Sequence, residues 1–118
     1  MNIKKLIGDK GERKVAILYV TKGYKIIARN FSCKYGELDI VAQKGKTVVI
    51  IEVKTRKNDS FAQAKEFVDF RKQNKIRSTA DLFLQKNNLT DYIIRFNVAE
   101  VYTENNTVNI IEDAFWSK

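Results

Sequence analysis

The chain has no histidine and no proline, a single cysteine, and only five glycines in 118 residues. Without histidine there is no Ser-His-Asp triad, no HEXXH zinc site and no His-metal finger nuclease. Cys33 alone cannot form an internal disulfide and has no companions for a zinc site. Any metal must rest on oxygen ligands, which favours Mg²⁺ or Mn²⁺ over zinc. The lack of proline and of Ser/Gly-rich tracts leaves no linker, and no internal repeat is visible, so residues 1–118 read as one domain with a modest core. No apolar run approaches the roughly 20 residues that span a bilayer. Lys4 and Lys5 interrupt the N-terminus too early for a signal peptide. The expectation is a cytoplasmic protein without membrane contact.

What the chain does have is positive charge. Twenty-two Lys/Arg stand against fourteen Asp/Glu, a net charge of +8. The excess is uneven: residues 1–35 carry nine basic residues against two acids, and residues 54–86 carry nine against four. Residues 36–53 and 87–118 are slightly acidic, at −1 and −3. An acidic centre between basic flanks suits a polyanion whose phosphates are held by Lys and Arg while carboxylates hold a metal. Nucleic acid, most naturally DNA, is the expected partner.

The acidic centre carries the chemistry. The segments Gly36-Glu37-Leu38-Asp39-Ile40-Val41 and Val48-Val49-Ile50-Ile51-Glu52-Val53-Lys54-Thr55 read as adjacent strands. Lys44-Gly45-Lys46 between them suits a hairpin turn. Side chains alternate along a strand, so Glu52 shares a face with Lys54, and Glu37 shares one with Asp39. Paired antiparallel, the strands bring Asp39 and Glu52 together around one hard cation, with the Lys54 ammonium beside it. The continuously apolar run 48–51 fits a strand buried on both faces, and Glu52 follows where it leaves the core. A carboxylate there is costly unless paired or metal-bound.

The rest of the chain frames that hairpin. Residues 3–22 read as a helix stopped at Lys22-Gly23, with Gly8, Glu12, Val15, Ala16 and Tyr19 in one stripe. Glu12 is then directed to the body of the protein, or is a boundary carboxylate paired with an arginine. Residues 24–31 read as a first strand. Asn58-Asp59-Ser60, with a Ser60/Gln63 capping box, is expected to start a helix over 61–87, its apolar side formed by Ala64, Phe67, Val68, Ile76, Ala80, Phe83 and Leu84. Lys72 falls beside that stripe, snorkelling past the core or acting at the site. Strands at 92–102 and 107–112, joined by an Asn105-Asn106 turn, complete an α-β-β-β-α-β-β order and an α/β fold with a mixed sheet.

Glu12, Asp39 and Glu52-x-Lys54 in this order resemble the PD-(D/E)XK nuclease superfamily. More closely, nearly the whole chain resembles the YraN family, bacterial proteins of undefined function considered similar to archaeal Holliday-junction resolvases. The matching stretches are Gly8-x-x-Gly11-Glu12-x-x-x-Ala16, Gly23-Tyr24, Arg29-Asn30-Phe31, Gly36-Glu37-Leu38-Asp39, Glu52-Val53-Lys54-Thr55-Arg56, and Lys72 with Ala80. Two features depart from it: Arg95-Phe96-Asn97-Val98 where Arg-Phe-Asp-Val is usual, and no glycine near Phe61-Ala62. The resemblance implies a restriction-endonuclease-like core, with Asp39, Glu52 and the Val53 carbonyl binding Mg²⁺ (or Mn²⁺ in its stead). It implies Lys54 and Glu12 as catalytic residues, Lys54 orienting or activating the attacking water and Glu12 holding a further ligand position or a water. Glu37 is supportive, and Lys72, Lys75 and Arg56 are expected to bind nucleic acid. By analogy a homodimer would suit the two symmetric cuts of a four-way junction. The expected activity is Mg²⁺-dependent cleavage of DNA, with a non-catalytic nucleic-acid-binding or partner-binding protein on the same fold as the alternative.

The charge distribution generates the first expectation. Residues 1–35 and 54–86 together supply nine and nine, or 18, Lys/Arg. DNA association in the sub-micromolar to micromolar range is expected, with a log–log salt slope of roughly −4 to −5 if about 4–6 phosphates are contacted. Neutralising Lys72 and Lys75 should flatten that slope by at most about two units. Gel-shift titrations of junction and duplex at several salt concentrations measure it. Salt-insensitive binding would reduce the basic segments to a solubilising surface.

Overall fold

The apolar run 48–51 lies at the centre of a five-stranded sheet. The computed structural model describes residues 3–58 and 69–115. Helix α1 (Ile3–Thr21) leads into β1 (Lys25–Cys33), β2 (Gly36–Lys44) and β3 (Thr47–Arg56). Helix α2 (Phe70–Lys86) then crosses to β4 (Ile93–Tyr102), and β5 (Thr107–Phe115) closes the described chain. The strands lie in the order β1-β2-β3-β4-β5. Only β3 and β4 are parallel, the arrangement that a helical crossover permits. This is the mixed-sheet α/β order read from the sequence. No helix among the described residues is long and apolar enough to cross a membrane.

The sheet is covered on both faces. Val15, Ala16 and Tyr19 of α1 pack on Ile40, Val49, Ile51 and Ala99. Ile76, Ala80, Phe83 and Leu84 of α2 pack on Val41, Val48, Ile50 and Val98. Alternating side chains of 48–51 therefore enter two different cores, which is why that run has no polar face. Gly45 (φ 59) and Lys46 make the two-residue hairpin turn below the Lys44–Thr47 pair.

Helices α1 and α2 end in the same way. Tyr24 N–H donates to the Tyr19 carbonyl and Gly23 N–H to that of Val20, with Gly23 at φ 92. Leu89 and Asn88 repeat the pattern on Leu84 and Gln85, with Asn88 at φ 57. These left-handed caps satisfy the last helical carbonyls. The start of α2 corrects the sequence reading. Asp69 is extended (ψ 172) and caps the helix, which begins at Phe70, so no helix runs unbroken from 61 to 87. The expected Ser60/Gln63 box and the apolar positions Ala64, Phe67 and Val68 lie outside the described residues.

Asn97, the departure from the usual aspartate, is a structural link. Its amide donates to Tyr19 Oη at 2.9 Å, while its carbonyl accepts from Asp113 N–H at 3.0 Å. It thereby ties α1 to β5 where the β4–β5 register shifts between Phe96 and Val98. Asn97→Ala would leave a buried hydroxyl and an N–H without partners and is expected to lose about 2 kcal/mol or more. Asn97→Asp keeps an acceptor for both Tyr19 O–H and Asp113 N–H and is expected to stay within about 1 kcal/mol of the parent. Urea denaturation at neutral pH measures both, and equal losses would contradict this role.

Candidate active site

A reversal of side-chain alternation positions Asp39. In the β1–β2 ladder Arg29 pairs with Ile40 and Phe31 with Leu38. Two residues apart on a regular strand, these side chains would share faces. Instead Ile40 joins the α1-side core and Leu38 the α2-side core. Likewise Arg29 reaches Glu12 of α1, while Phe31 packs edge-on against Phe83 of α2 at 5.1 Å. Both strands turn over between the two pairs, with Asn30 in the left-handed region (φ 55). Asp39 falls at the turnover, so its face cannot be read from Glu37 by simple alternation.

The next strand pair separates at the same level. The β2–β3 ladder runs from Lys44–Thr47 up to Ile40–Ile51. Asp39 and Glu52 are the next residues on each strand. Beyond that point the side chain replaces the ladder: Asp39 Oδ2 accepts the Val53 N–H at 2.8 Å. The N–H and C=O of one strand residue point to the same edge, so the Val53 carbonyl is turned toward Asp39 as well.

Glu52 and Lys72 meet across the α2 face. Lys72 Nζ lies 3.2 Å from Glu52 Oε1. Lys72 thus ends beside Glu52 rather than only passing along the apolar stripe. Lys72 is also close enough to Lys54 for the two ammonium charges to oppose each other. On the other face, Glu12 pairs with Arg29 at 3.6 Å, and buried Glu12 Oε1 has no hydrogen-bond partner. Both readings of Glu12 are thus met, since it faces inward and is paired with an arginine. Gly11 brings it there. A Cβ on Gly11 would lie 2.5 Å from Thr55 Oγ1, so only glycine lets α1 approach the end of β3 this closely.

Burial and crowding reshape the acidities. Burial first, then the charge of Asp39, pushes the Glu52 carboxyl from 4.5 up to about 7. Asp39 is raised by burial, partly offset by the Val53 N–H. Glu12 is raised by burial and by Asp39. Lys54 is lowered by burial and by Lys72. Burial pulls Lys72 down, but Glu52 overrides it and leaves it raised. Three carboxyls that resist ionisation together form a site short of positive charge.

A cavity of about 370 Å³ opens beside Glu52, bounded by Glu37, Arg71, Lys72 and Lys75. A second, of about 710 Å³, lies on the α1 side between Glu12, Arg13, Arg29 and Glu37. Exposed Glu37 borders both. Arg56 lies elsewhere: its Nε is 3.6 Å from Glu100 Oε2, and Glu100 is 2% exposed and accepts from Asn109 Nδ2. Its charge is therefore answered inside the fold. Among the described residues no three Asp, Glu or Cys side chains converge on one point. A metal here would rest on two carboxylates, a backbone carbonyl and water, a donor set that suits Mg²⁺. The sequence reading assigned no role to Arg29 or Glu100. Their signals were present: an arginine before an asparagine in mid-strand, and one acid inside the apolar run of β4.

Comparison with known proteins agrees over most of the length. Residues 11–101 match the uncharacterised protein family UPF0102. A UPF0102 protein of Caldicellulosiruptor bescii is 40% identical over 120 residues, covering 98% of this chain and 100% of that one. One from Clostridioides difficile is 43% identical over 109 residues, covering 92% and 95%. Another from Clostridium botulinum is 41% identical over 114 residues, covering 92% and 93%.

The raised Glu52 carboxyl has a direct consequence for stability. Between about pH 4.5 and 7 the folded protein holds a proton that the unfolded chain has released. Stability without metal should therefore fall as pH rises through that window, by on the order of 3 kcal/mol at most, and level off on either side. Glu52→Gln removes this contribution. Urea titrations in chelator from pH 4.5 to 8 should show a shallower decline in the variant, and identical declines would contradict the shift.

Proposed function

This chain belongs to the UPF0102 family, and from that premise we propose that it is a Mg²⁺-dependent endonuclease of the PD-(D/E)XK type. Its substrate is DNA, with branched junctions the form to test first. The observation that carries the reading is Asp39 and Glu52 on neighbouring strands where β2 and β3 part, both within reach of the Lys54 charge. A surface built only to bind phosphates gains nothing from two partly buried carboxylates facing them.

The roles follow from the chemistry of each group. Asp39, Glu52 and the Val53 carbonyl would hold Mg²⁺, or Mn²⁺ in its place. The bound cation would acidify water and offset the charge that gathers on the phosphate. Glu12, whose buried Oε1 is ion-paired with Arg29 but accepts no hydrogen bond, would hold a water on the α1 side. Lys54 faces the same centre, and its loosened proton suits a group that meets both the attacking water and the growing phosphate charge. Water adds to phosphorus, one P–O bond breaks, and the strand ends as one phosphate and one hydroxyl terminus. Arg71 and Lys75 border the cavity and hold neighbouring phosphates.

Calorimetric titration with Mn²⁺, paired with cleavage assays, tests the proposal. Asp39→Asn and Glu52→Gln should each lose at least about tenfold in Mn²⁺ affinity, since even losing an outer-shell partner of a ligand costs about that much. Lys54→Ala should keep metal and DNA binding but lose cleavage, because the lysine acts mainly on the transition state. Equal Mn²⁺ affinity in all of these would refute the site. DNA binding by the parent without any cutting would shift the reading to a binding protein.

A further inference from the structure

Lys72 stands where the site lacks a cation. Its ammonium lies 3.2 Å from Glu52 Oε1, and its charge reaches Asp39 as well. The helix fixes its backbone, since Asp69 Oδ1 accepts the Lys72 N–H at 2.8 Å. One turn further on, Ile76 is buried in the core. Helix electrostatics do not favour a lysine there. The first turn of α2 contains no acid, and the positive end of a helix repels cations. What stabilises the ammonium is Glu52.

That arrangement opposes the loading of a metal on Glu52. A divalent cation on Glu52 and an ammonium at hydrogen-bond distance from the same carboxylate repel each other. Lys72 can yield and Glu52 cannot. The lysine side chain is 48% exposed on a flexible stem, whereas Glu52 is buried on the central strand. The space open to Lys72 is the cavity it shares with Arg71 and Lys75, the place for a phosphate next to the cut.

We propose that Lys72 is the resident counterion of the metal site: it neutralises Glu52 while the metal is away, and metal entry displaces it toward a nucleic-acid phosphate. The inference rests on the metal-dependent reading above. It makes Lys72 a positioning residue that couples the two ligands, so that each strengthens the other by the same factor.

Mn²⁺ calorimetry without nucleic acid, on the parent, Lys72→Gln, Lys72→Arg and Lys75→Gln, tests the first half. Lys72→Gln should bind Mn²⁺ about five- to tenfold more tightly than the parent, a typical coupling factor. Lys72→Arg and Lys75→Gln should match the parent. The second half is read from the salt dependence of binding to a phosphorothioate-protected duplex. The slopes of parent and Lys72→Gln should coincide without metal and differ by about one unit with Mn²⁺. Unchanged or weaker Mn²⁺ binding by Lys72→Gln would overturn the proposal while leaving the metal site standing. So would a slope difference already present without metal. Absence of Mn²⁺ binding in the parent and every variant would remove the metal site itself, and this inference with it.

Discussion

One hydrogen bond organises the site: the Asp39 carboxylate accepting the Val53 N–H at 2.8 Å. It forms because β2 turns over at Asp39 and leaves its ladder with β3 beyond the Ile40–Ile51 pair. An unpaired N–H in that position would carry a penalty of about 1–3 kcal/mol. The carboxylate supplies the partner and is drawn in between the strands. Asp39 is thereby held against Glu52, which lies one residue before Val53, and two acids share a space that water reaches poorly.

The neighbouring residues answer that repulsion. Lys72 approaches Glu52 from α2, and Arg29 approaches Glu12 from β1. Arg29 reaches α1 because left-handed Asn30 turns the strand over. Glu12 reaches the centre because Gly11 lets α1 press on Thr55. These compensations are incomplete. Glu52, Asp39 and Glu12 all keep raised pKa values, chiefly through burial. Such crowding at the end of a well-packed sheet costs stability that a bound cation would offset, which supports the proposed metal site.

Much of this was legible in the chain. The apolar run 48–51 announced a strand buried on both faces, and Gly45 and Gly23 marked a turn and a helix end that the structure contains. The nearness of Asp39 and Glu52 was readable because a short hairpin fixes which residues of β2 and β3 are neighbours. Three things were not. The apolar spacing of Ala64, Val68 and Ile76 carries a helical pattern across Asp69, and nothing in an i, i+4 pattern tells a cap from an exposed acid, so the sequence alone does not mark the start of α2. Alternation also does not give the face of Asp39, because Leu38 and Ile40 enter opposite cores, a turnover of β2 that a two-residue period does not encode. The ion pair of Arg56 with Glu100 was not legible, because only the tertiary fold brings β3 and β4 side chains together there.

The central claim is that Asp39 and Glu52 together form a cation site. Its most direct test is an anomalous difference map from crystals of the protein soaked in Mn²⁺, recorded near neutral pH. The account predicts a single strong peak within bonding distance of both carboxylates and the Val53 carbonyl, with the Lys72 side chain withdrawn from Glu52. A map without a peak there, with Lys72 still on Glu52 at high Mn²⁺, would contradict it.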